Sequence, residues 1–74
     1  MIHDLKIQKM YYDRLVTGEK KFEVRLNDRD YQVNDTIVFN VIGTTVRLLA
    51  NISYIHSGLG MAEGYVILGI EAQI

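Results

Sequence analysis

Apolar and polar residues alternate along much of this chain, as is typical of β-strands that bury one face. Together with runs of β-branched residues, the alternation predicts five strands, at residues 3–7, 20–26, 36–42, 45–55 and 65–70. The fourth predicted strand is long, and we expect it to bend near Ala50 or Asn51.

One segment, residues 9–17, has a helical pattern. Met10, Tyr11, Tyr12 and Leu15 fall near one stripe of an α-helix. Gly18 follows at the place where a helix C-cap favours the left-handed conformation. A helix this short is marginal alone in water, so it must be held by packing. Turn and loop signals separate the remaining elements at residues 27–30, 34–35, 43–44 and 57–64.

One helix and about five strands in 74 residues define an α+β fold that is mostly β. A single short helix cannot cover a flat sheet on both faces, whereas a sheet curled into a small barrel buries its inner face and loses its exposed edges. We therefore predict one domain over residues 1–74, a small pseudo-barrel of about five strands with one short N-terminal helix. A two-layer sheet with the helix across it is the alternative.

Composition and charge narrow the chemistry. The chain has no cysteine, and His3 and His56 are its only imidazoles, so neither a metal nor another cofactor is predicted. The net charge of −1 argues against nucleic-acid binding through bulk charge but allows a local basic patch. The start does not resemble a signal peptide, and no apolar stretch is long enough to span a bilayer. We expect a cytoplasmic protein without membrane association.

The segment from Gly18 to Asp35 holds the candidate chemistry. Strand geometry places Lys21, Glu23 and Arg25 on one face at a spacing of roughly 6–7 Å, with Phe22, Val24 and Leu26 on the other. Arginine grips phosphate or carboxylate groups with two parallel hydrogen bonds, so this face is a candidate anion site. The simpler interpretation is a solvated charged face of an antiparallel sheet.

Several motifs of the chain resemble one family. Residues 18–25 read Gly-x-Lys-x-Phe-Glu-Val-Arg, followed by Asn-Asp-Arg at 27–29; the chain opens with His-Asp-Leu-Lys-Ile at 3–7 and closes with Gly-Tyr-Val-Ile-Leu at 64–68. This combination resembles the small phage and bacterial domains of the DUF3850 family, in the ASCH branch of the PUA-like superfamily. The resemblance runs nearly end to end.

The resemblance implies a pseudo-barrel with a cleft beside the helix and the Glu-Val-Arg strand, and a role in binding RNA or a nucleotide-like ligand. The matching candidate site residues are Lys20, Lys21, Glu23, Arg25, Asn27, Asp28, Arg29 and His3. The chain departs from the family in two places. It has Asn34-Asp35 where relatives have Gly-Asp, and the segment from Phe39 to Arg47 is short, which predicts an open cleft or one that a partner completes.

Three functions remain open from the sequence. In an RNA- or nucleotide-binding module, arginines would hold phosphate and Tyr11, Tyr12 or Tyr31 would stack on a base. A small amidohydrolase on modified nucleosides is disfavoured: Lys20 matches the catalytic lysine of such ASCH-type enzymes, but Glu23 replaces their threonine and Glu63 is only a loose match to their glutamate. An interaction domain, as a homodimer or with another partner, is the third, because seven aromatic residues are many for so small a core.

Overall fold

The structure is a computed structural model that describes residues 1–73. Its elements, in chain order, are β1 (Ile2–Ile7), α1 (Lys9–Thr17), β2 (Phe22–Leu26), β3 (Thr36–Val41), β4 (Arg47–His56) and β5 (Tyr65–Ala72). The five predicted strands and the helix are thus confirmed, with ends that differ by a few residues. Gly18 takes a φ of 81° and its N–H donates to the Leu15 carbonyl, so it ends α1 as predicted.

The five strands form a single sheet in the order β1-β3-β4-β5-β2. β1 runs parallel to β3, and the other neighbouring pairs are antiparallel. The sheet curls into a half-barrel, which confirms the mostly-β α+β fold. Its two edge strands, β1 and β2, come within side-chain reach of each other, because Arg25 Nη2 donates to the Lys6 carbonyl oxygen at 2.7 Å. This geometry leaves a cleft between the two edges.

The irregularity of β4 lies between Ile52 and Tyr54, so the predicted bend near Ala50 or Asn51 is misplaced by a few residues. At that point β4 approaches Gly69 of β5 very closely. A Cβ atom on Gly69 would lie 3.0 Å from the Cβ of Tyr54, so this approach requires glycine. The sequence pattern does not reveal the bulge because it depends on the pairing with β5.

The hydrophobic core lies inside the curl of the sheet and beneath α1, which inserts Leu15. Its buried hydrophobic residues are Leu5, Ile7, Leu15, Tyr31, Ile37, Phe39, Val41, Leu48, Ala50, Ile52, Val66, Leu68 and Ile70. Within residues 1–73, no helix has the length and apolarity needed to cross a membrane.

Strand β2 contributes none of these buried hydrophobic residues of the described chain. The predicted alternation is confirmed, but its charged side turns inward: Glu23 is 5% exposed, whereas Phe22, Val24 and Leu26 are 46–53% exposed. The interpretation of this charged face as a solvated one is therefore wrong for Glu23 and for the half-buried Arg25, whereas Lys21 is exposed. An inward carboxylate is tolerated here because two cations neutralise it.

Candidate binding cleft

Glu23 is the centre of a small charged cluster under the edge of β2. Lys20 Nζ donates to its Oε1 at 2.7 Å, and Arg25 Nε donates to its Oε2 at 3.0 Å. The side chains of Lys20 and Arg25 are only 18% and 24% exposed. We call Lys20, Glu23 and Arg25 the Glu23 cluster. It combines two cations with one anion at the boundary between core and solvent.

The chain builds this cluster through two local features. Pairing with β5 sets Glu23 opposite Leu68 and Arg25 opposite Val66, and because partners across a strand pair share a face, both charged residues point inward. Lys20 precedes β2, just after the glycine that ends α1. Its ammonium group lies 4.4 Å from the centre of the Tyr11 ring, a cation–π contact that ties the cluster to the helix.

The cleft between β1 and β2 has a volume of about 310 Å³. The Lys21 carbonyl accepts a hydrogen bond from Ile70 of β5, and the Asn27 N–H donates to Gly64 just before β5. Because alternate residues of an antiparallel strand bond to the same neighbour, the N–H and C=O groups of Val24 point the other way, toward the cleft. Within residues 1–73 no hydrogen bond engages these two groups, so the cleft offers free backbone groups as well as side chains. Its lining residues are Lys6, Ile7, Gln8, Tyr11, Glu23, Val24, Arg25, Leu26 and Ile42.

A second, smaller hollow of about 130 Å³ continues the cleft past Arg25 and Leu26. Asp28, Arg29 and Tyr31 line it. Burial, with a smaller contribution from Asp28, raises the pKa of Tyr31 above its ordinary value of 10.0, so its phenol stays protonated at neutral pH. This hollow thus adds a guanidinium group and a phenol to the cleft.

The charge of this region differs from that of the whole chain. Lys6, Lys20, Arg25 and Arg29 line the two hollows or contact their lining, against the carboxylates of Glu23 and Asp28. The local net charge is +2, whereas the whole chain carries −1. The cleft is therefore a local basic patch of the kind that the overall charge leaves open.

Four of the predicted site residues are not among the residues that line the two hollows: Lys20, Lys21, Asn27 and His3. Lys20 and Lys21 line another cavity, of about 380 Å³, on the side of Leu15 and Ile70, and Lys21 is exposed. Asn27 is exposed, and its N–H donates to the Gly64 carbonyl at 2.8 Å. His3 is buried behind Tyr31, with the two ring centres 4.8 Å apart. Of these, Lys20 contacts Glu23 and Tyr11 of the cleft lining, and His3 contacts Tyr31 of the smaller hollow.

Lys20, the weak catalytic candidate, is held as a hydrogen-bond donor to Glu23. Glu63 is exposed in the loop before β5, and within residues 1–73 no hydrogen bond or ion pair joins it to the Glu23 cluster. The arrangement therefore gives the amidohydrolase hypothesis no assembled lysine–glutamate pair of the expected kind.

His3 belongs to a second polar group that sequence reasoning did not recognise. Its Nε2 lies 2.8 Å from Asp35 Oδ2, and the same oxygen accepts the N–H of Gln32 at 3.0 Å. The amino group of Met1 lies 3.1 Å from Asp35 Oδ1. The hydrogen bond from His3, followed by that from the amino group, lowers the pKa of Asp35 from 3.8 to about 2. This group joins β1 to the turn before β3.

The lowered pKa of Asp35 predicts how stability depends on pH. A carboxyl whose pKa is lower in the folded state stabilises the fold above its unfolded pKa, and this stabilisation is lost as pH falls toward the folded pKa. We expect Asp35→Asn to be less stable than the wild type at pH 6, and the difference to shrink between about pH 4 and pH 2. Urea unfolding across this range measures it.

Asp13→Asn is the matched control, because the Asp13 ion pair with Lys9 is exposed on α1. Its unfolding midpoint should stay close to that of the wild type throughout. A gap between Asp35→Asn and the wild type that keeps the same size down to pH 2 would contradict the assignment of the ionised carboxylate as the stabilising form.

Several residues that line the cleft were not predicted as site residues from the sequence. Lys6, Gln8 and Ile42 lie far from the β2 motif along the chain, and only the curl of the sheet brings them opposite it. A signal was present for one of them, because Lys6 lies within the opening motif of the chain. No local pattern marks Gln8 or Ile42 as lining residues.

The fold and the cleft define this protein as a small β half-barrel domain with a charged cleft between its edge strands. The family described as "Domain of unknown function (DUF3850)" matches residues 2–70, and the chain belongs to this family.

Two known proteins illustrate the similarity. One is an uncharacterized 12.9 kDa protein in the GpA 3′ region of Escherichia phage P2, which is 30% identical over 71 residues. The match covers 90% of this chain and 65% of the phage protein, so the chain spans somewhat less than two thirds of that relative. The other is the crystal structure of the hypothetical protein PH0355, with a TM-score of 0.75 and 20% identity over 99% of this chain and 100% of that one. At this identity the likeness concerns the fold alone.

Proposed function

We propose that this domain binds single-stranded RNA, or a nucleotide of such a strand, in the cleft between β1 and β2. The observation that carries the proposal is the inward-turned Arg25 at the cleft. Arg25 Nε and Nη2 bind Glu23 and the Lys6 carbonyl, while within residues 1–73 its Nη1 donors have no hydrogen-bond partner. A guanidinium group fixed in this way presents its remaining donors to a phosphate with little loss of side-chain entropy.

The size and lining of the cleft support a base-sized ligand. Pockets for small ligands span roughly 300–1,000 Å³, and the cleft, at about 310 Å³, lies at the lower end of that range. Val24, Leu26 and Ile42 give it apolar surface, and Tyr11 adds an aromatic ring. Unpaired backbone groups of β2 are suited to the hydrogen-bonding edge of a base. An unstacked single strand exposes these edges, whereas an A-form duplex hides them in its deep groove.

The distribution of charge favours binding of a nucleotide in a structured pocket over non-specific binding along the phosphate backbone of a nucleic acid. The local charge of +2 attracts phosphate, but the net charge of −1 on the whole chain keeps non-specific binding weak. The ASCH relationship and the RNA-binding role that it implies belong to this proposal as well. They rest on the resemblance of the motifs at residues 18–25 and 27–29.

A backbone amide NMR titration with short mixed-sequence RNA, followed by single nucleosides, tests the proposal. We expect shifts at Lys6, Arg25, Arg29 and Tyr31, reversed by salt. Arg29→Ala removes one exposed cation from the smaller hollow. It should weaken binding several-fold and reduce the slope of log affinity against log salt by about 0.7, the value of one phosphate contact to a single strand.

Arg47→Ala is the matched control, because Arg47 is an exposed arginine at the start of β4, opposite Asn40 and outside both hollows. It should leave the RNA affinity unchanged. If Arg47→Ala weakens binding as much as Arg29→Ala does, the protein binds through bulk charge and the cleft is not the site. An absence of any shift with RNA and with nucleosides would overturn the proposed function.

A further inference from the structure

The outer face of β2 and its neighbours is unusually apolar for an exposed sheet surface. Because β2 turns its charges inward, Phe22, Val24 and Leu26 face outward, next to Gly69, Ile67 and Tyr65 of β5. Beyond β5, Tyr54 lies opposite Gly69 and His56 lies opposite Ile67 on β4. We call these eight positions on three adjacent strands the outer β2–β5 face. None of them is Asp, Glu, Lys or Arg.

This surface is large enough to matter for association. Phe22, Val24, Leu26, Tyr54 and Tyr65 are each 44–63% exposed. With side chains of this size at such exposure, the contiguous surface amounts to roughly 400–500 Å², as large as the largest apolar patch of an ordinary monomer, which is often a functional surface. Leu59, 92% exposed, extends it, because the His56 ring lies 3.0 Å from the Leu59 carbonyl. Surfaces of this kind mark contact sites.

The lack of charged residues on this face indicates which kind of partner it can bind. A face without lysine or arginine offers no attraction to the phosphates of a nucleic acid or to anionic lipid headgroups. A second copy of this chain meets no such obstacle, because a net charge of −1 produces little repulsion between copies. A symmetric contact of the face with itself also pairs no like charges, since the face has none. In such a two-fold contact, these residues of two copies would bury about 800–1,000 Å², close to the lower bound for a specific interface, and Leu59 adds to this area.

We infer that two copies of this domain associate through their outer β2–β5 faces. This contact explains why the exposed side of β2 is apolar along its full length although β2 is an edge strand, where charged side chains normally prevent association. Val24 and Leu26 belong both to this face and to the rim of the cleft, whereas Tyr54, Tyr65 and His56 line neither hollow. A substitution at Tyr54 therefore tests association without changing a cleft residue, and dimer formation can fail while RNA binding persists, or the reverse.

Sedimentation velocity across a wide concentration range tests the inference with the wild type and two variants. Tyr54→Glu introduces a carboxylate into the most exposed part of the face. In a two-fold contact both copies carry it, so two negative charges would lie in the same interface. We expect it to raise the dissociation constant of the dimer about tenfold or more. Leu49→Glu is the matched control, because Leu49 is on the same strand, is 44% exposed and lies opposite Val38, away from the face. It should leave the dissociation constant unchanged.

Isotope-filtered NMR on mixed labelled and unlabelled wild-type protein gives an answer that needs no variant. Intermolecular contacts should involve the rings of Phe22, Tyr54 and Tyr65. A wild type that stays monomeric at millimolar concentration overturns the inference, even if another protein covers the face. Equal weakening by Leu49→Glu and Tyr54→Glu, or intermolecular contacts confined to other surfaces, overturns it too.

Discussion

Replacing Glu23 by leucine is expected to lower the free energy of unfolding by about 2–4 kcal/mol, because it leaves two partly buried cations without their shared anion. The cost lies below that of a fully buried pair, since Lys20 and Arg25 keep 18% and 24% of their surface in water. A domain of this length is usually stable by only about 4–11 kcal/mol, so the loss is a large part of the total. Urea unfolding with an unchanged m-value measures it.

A triple variant separates the role of the charges from that of the volume. Combining Lys20→Met, Glu23→Leu and Arg25→Met removes the whole Glu23 cluster at similar side-chain size, and it should recover most of the lost stability. It should also abolish RNA binding if the proposed function is right. If the triple variant regains stability but does not bind RNA, the Glu23 cluster serves RNA recognition and not stability. Asp13→Asn, which breaks the exposed pair with Lys9, should cost no more than about 0.5 kcal/mol.

A Glu23→Leu variant as stable as the wild type would contradict the inward placement of this side chain. The same outcome would remove the physical basis for an apolar outer face, because the two sides of β2 are coupled by its alternation. This one measurement therefore bears on the cleft and on the outer β2–β5 face.

Phe39→Ala is expected to reduce the free energy of unfolding by about 3–5 kcal/mol, through lost burial and the cavity left behind. Phe39 is fully buried on β3, between Leu5 of β1 and Leu48 of β4. Its ring centre also lies 6.0 Å from the guanidinium carbon of Arg25, so it supports the floor beneath the Glu23 cluster. Thermal and urea unfolding measure the change.

Leu49→Ala is the control for this substitution, because Leu49 is on the neighbouring strand and 44% exposed. It should cost much less than the core change, within about 1 kcal/mol. If Phe39→Ala cost no more than Leu49→Ala, Phe39 would not lie at the centre of the core. Phe39→Leu, which keeps most of the volume, should lose less stability than Phe39→Ala and weaken RNA binding only through the position of Arg25.

The local elements of this protein follow closely from its sequence. Residues 9–17 are the helix, with Gly18 at its end, and each alternating segment is a strand. These features depend on neighbouring residues, through helical spacing, a left-handed glycine and the period of two along a strand. The resemblance of the motifs likewise pointed to the family that the comparison identifies.

Which side of a strand points into the core, by contrast, does not follow from the sequence. Alternation along β2 separates charged from apolar residues but does not say which set faces the core, because both answers satisfy the same pattern. The pairing of Glu23 with Leu68 and Arg25 with Val66, and the arrival of Lys20 from the end of α1, decide it. Apolar residues are usually the buried ones, but a carboxylate can be buried in their place here because two cations pair with it.

The sequence by itself therefore determined the helix, the five strands, the mostly-β class and the segment that carries the charged residues. Only the tertiary structure decided that β2 presents its charges inward, that β1 supplies Lys6 to the opposite wall of the cleft, and that Asp35 is the partner of His3. The physical reason is range. Strand and helix formation are set by residues a few positions apart, whereas the cleft and the facing of β2 depend on contacts between segments that only the curl of the sheet brings together.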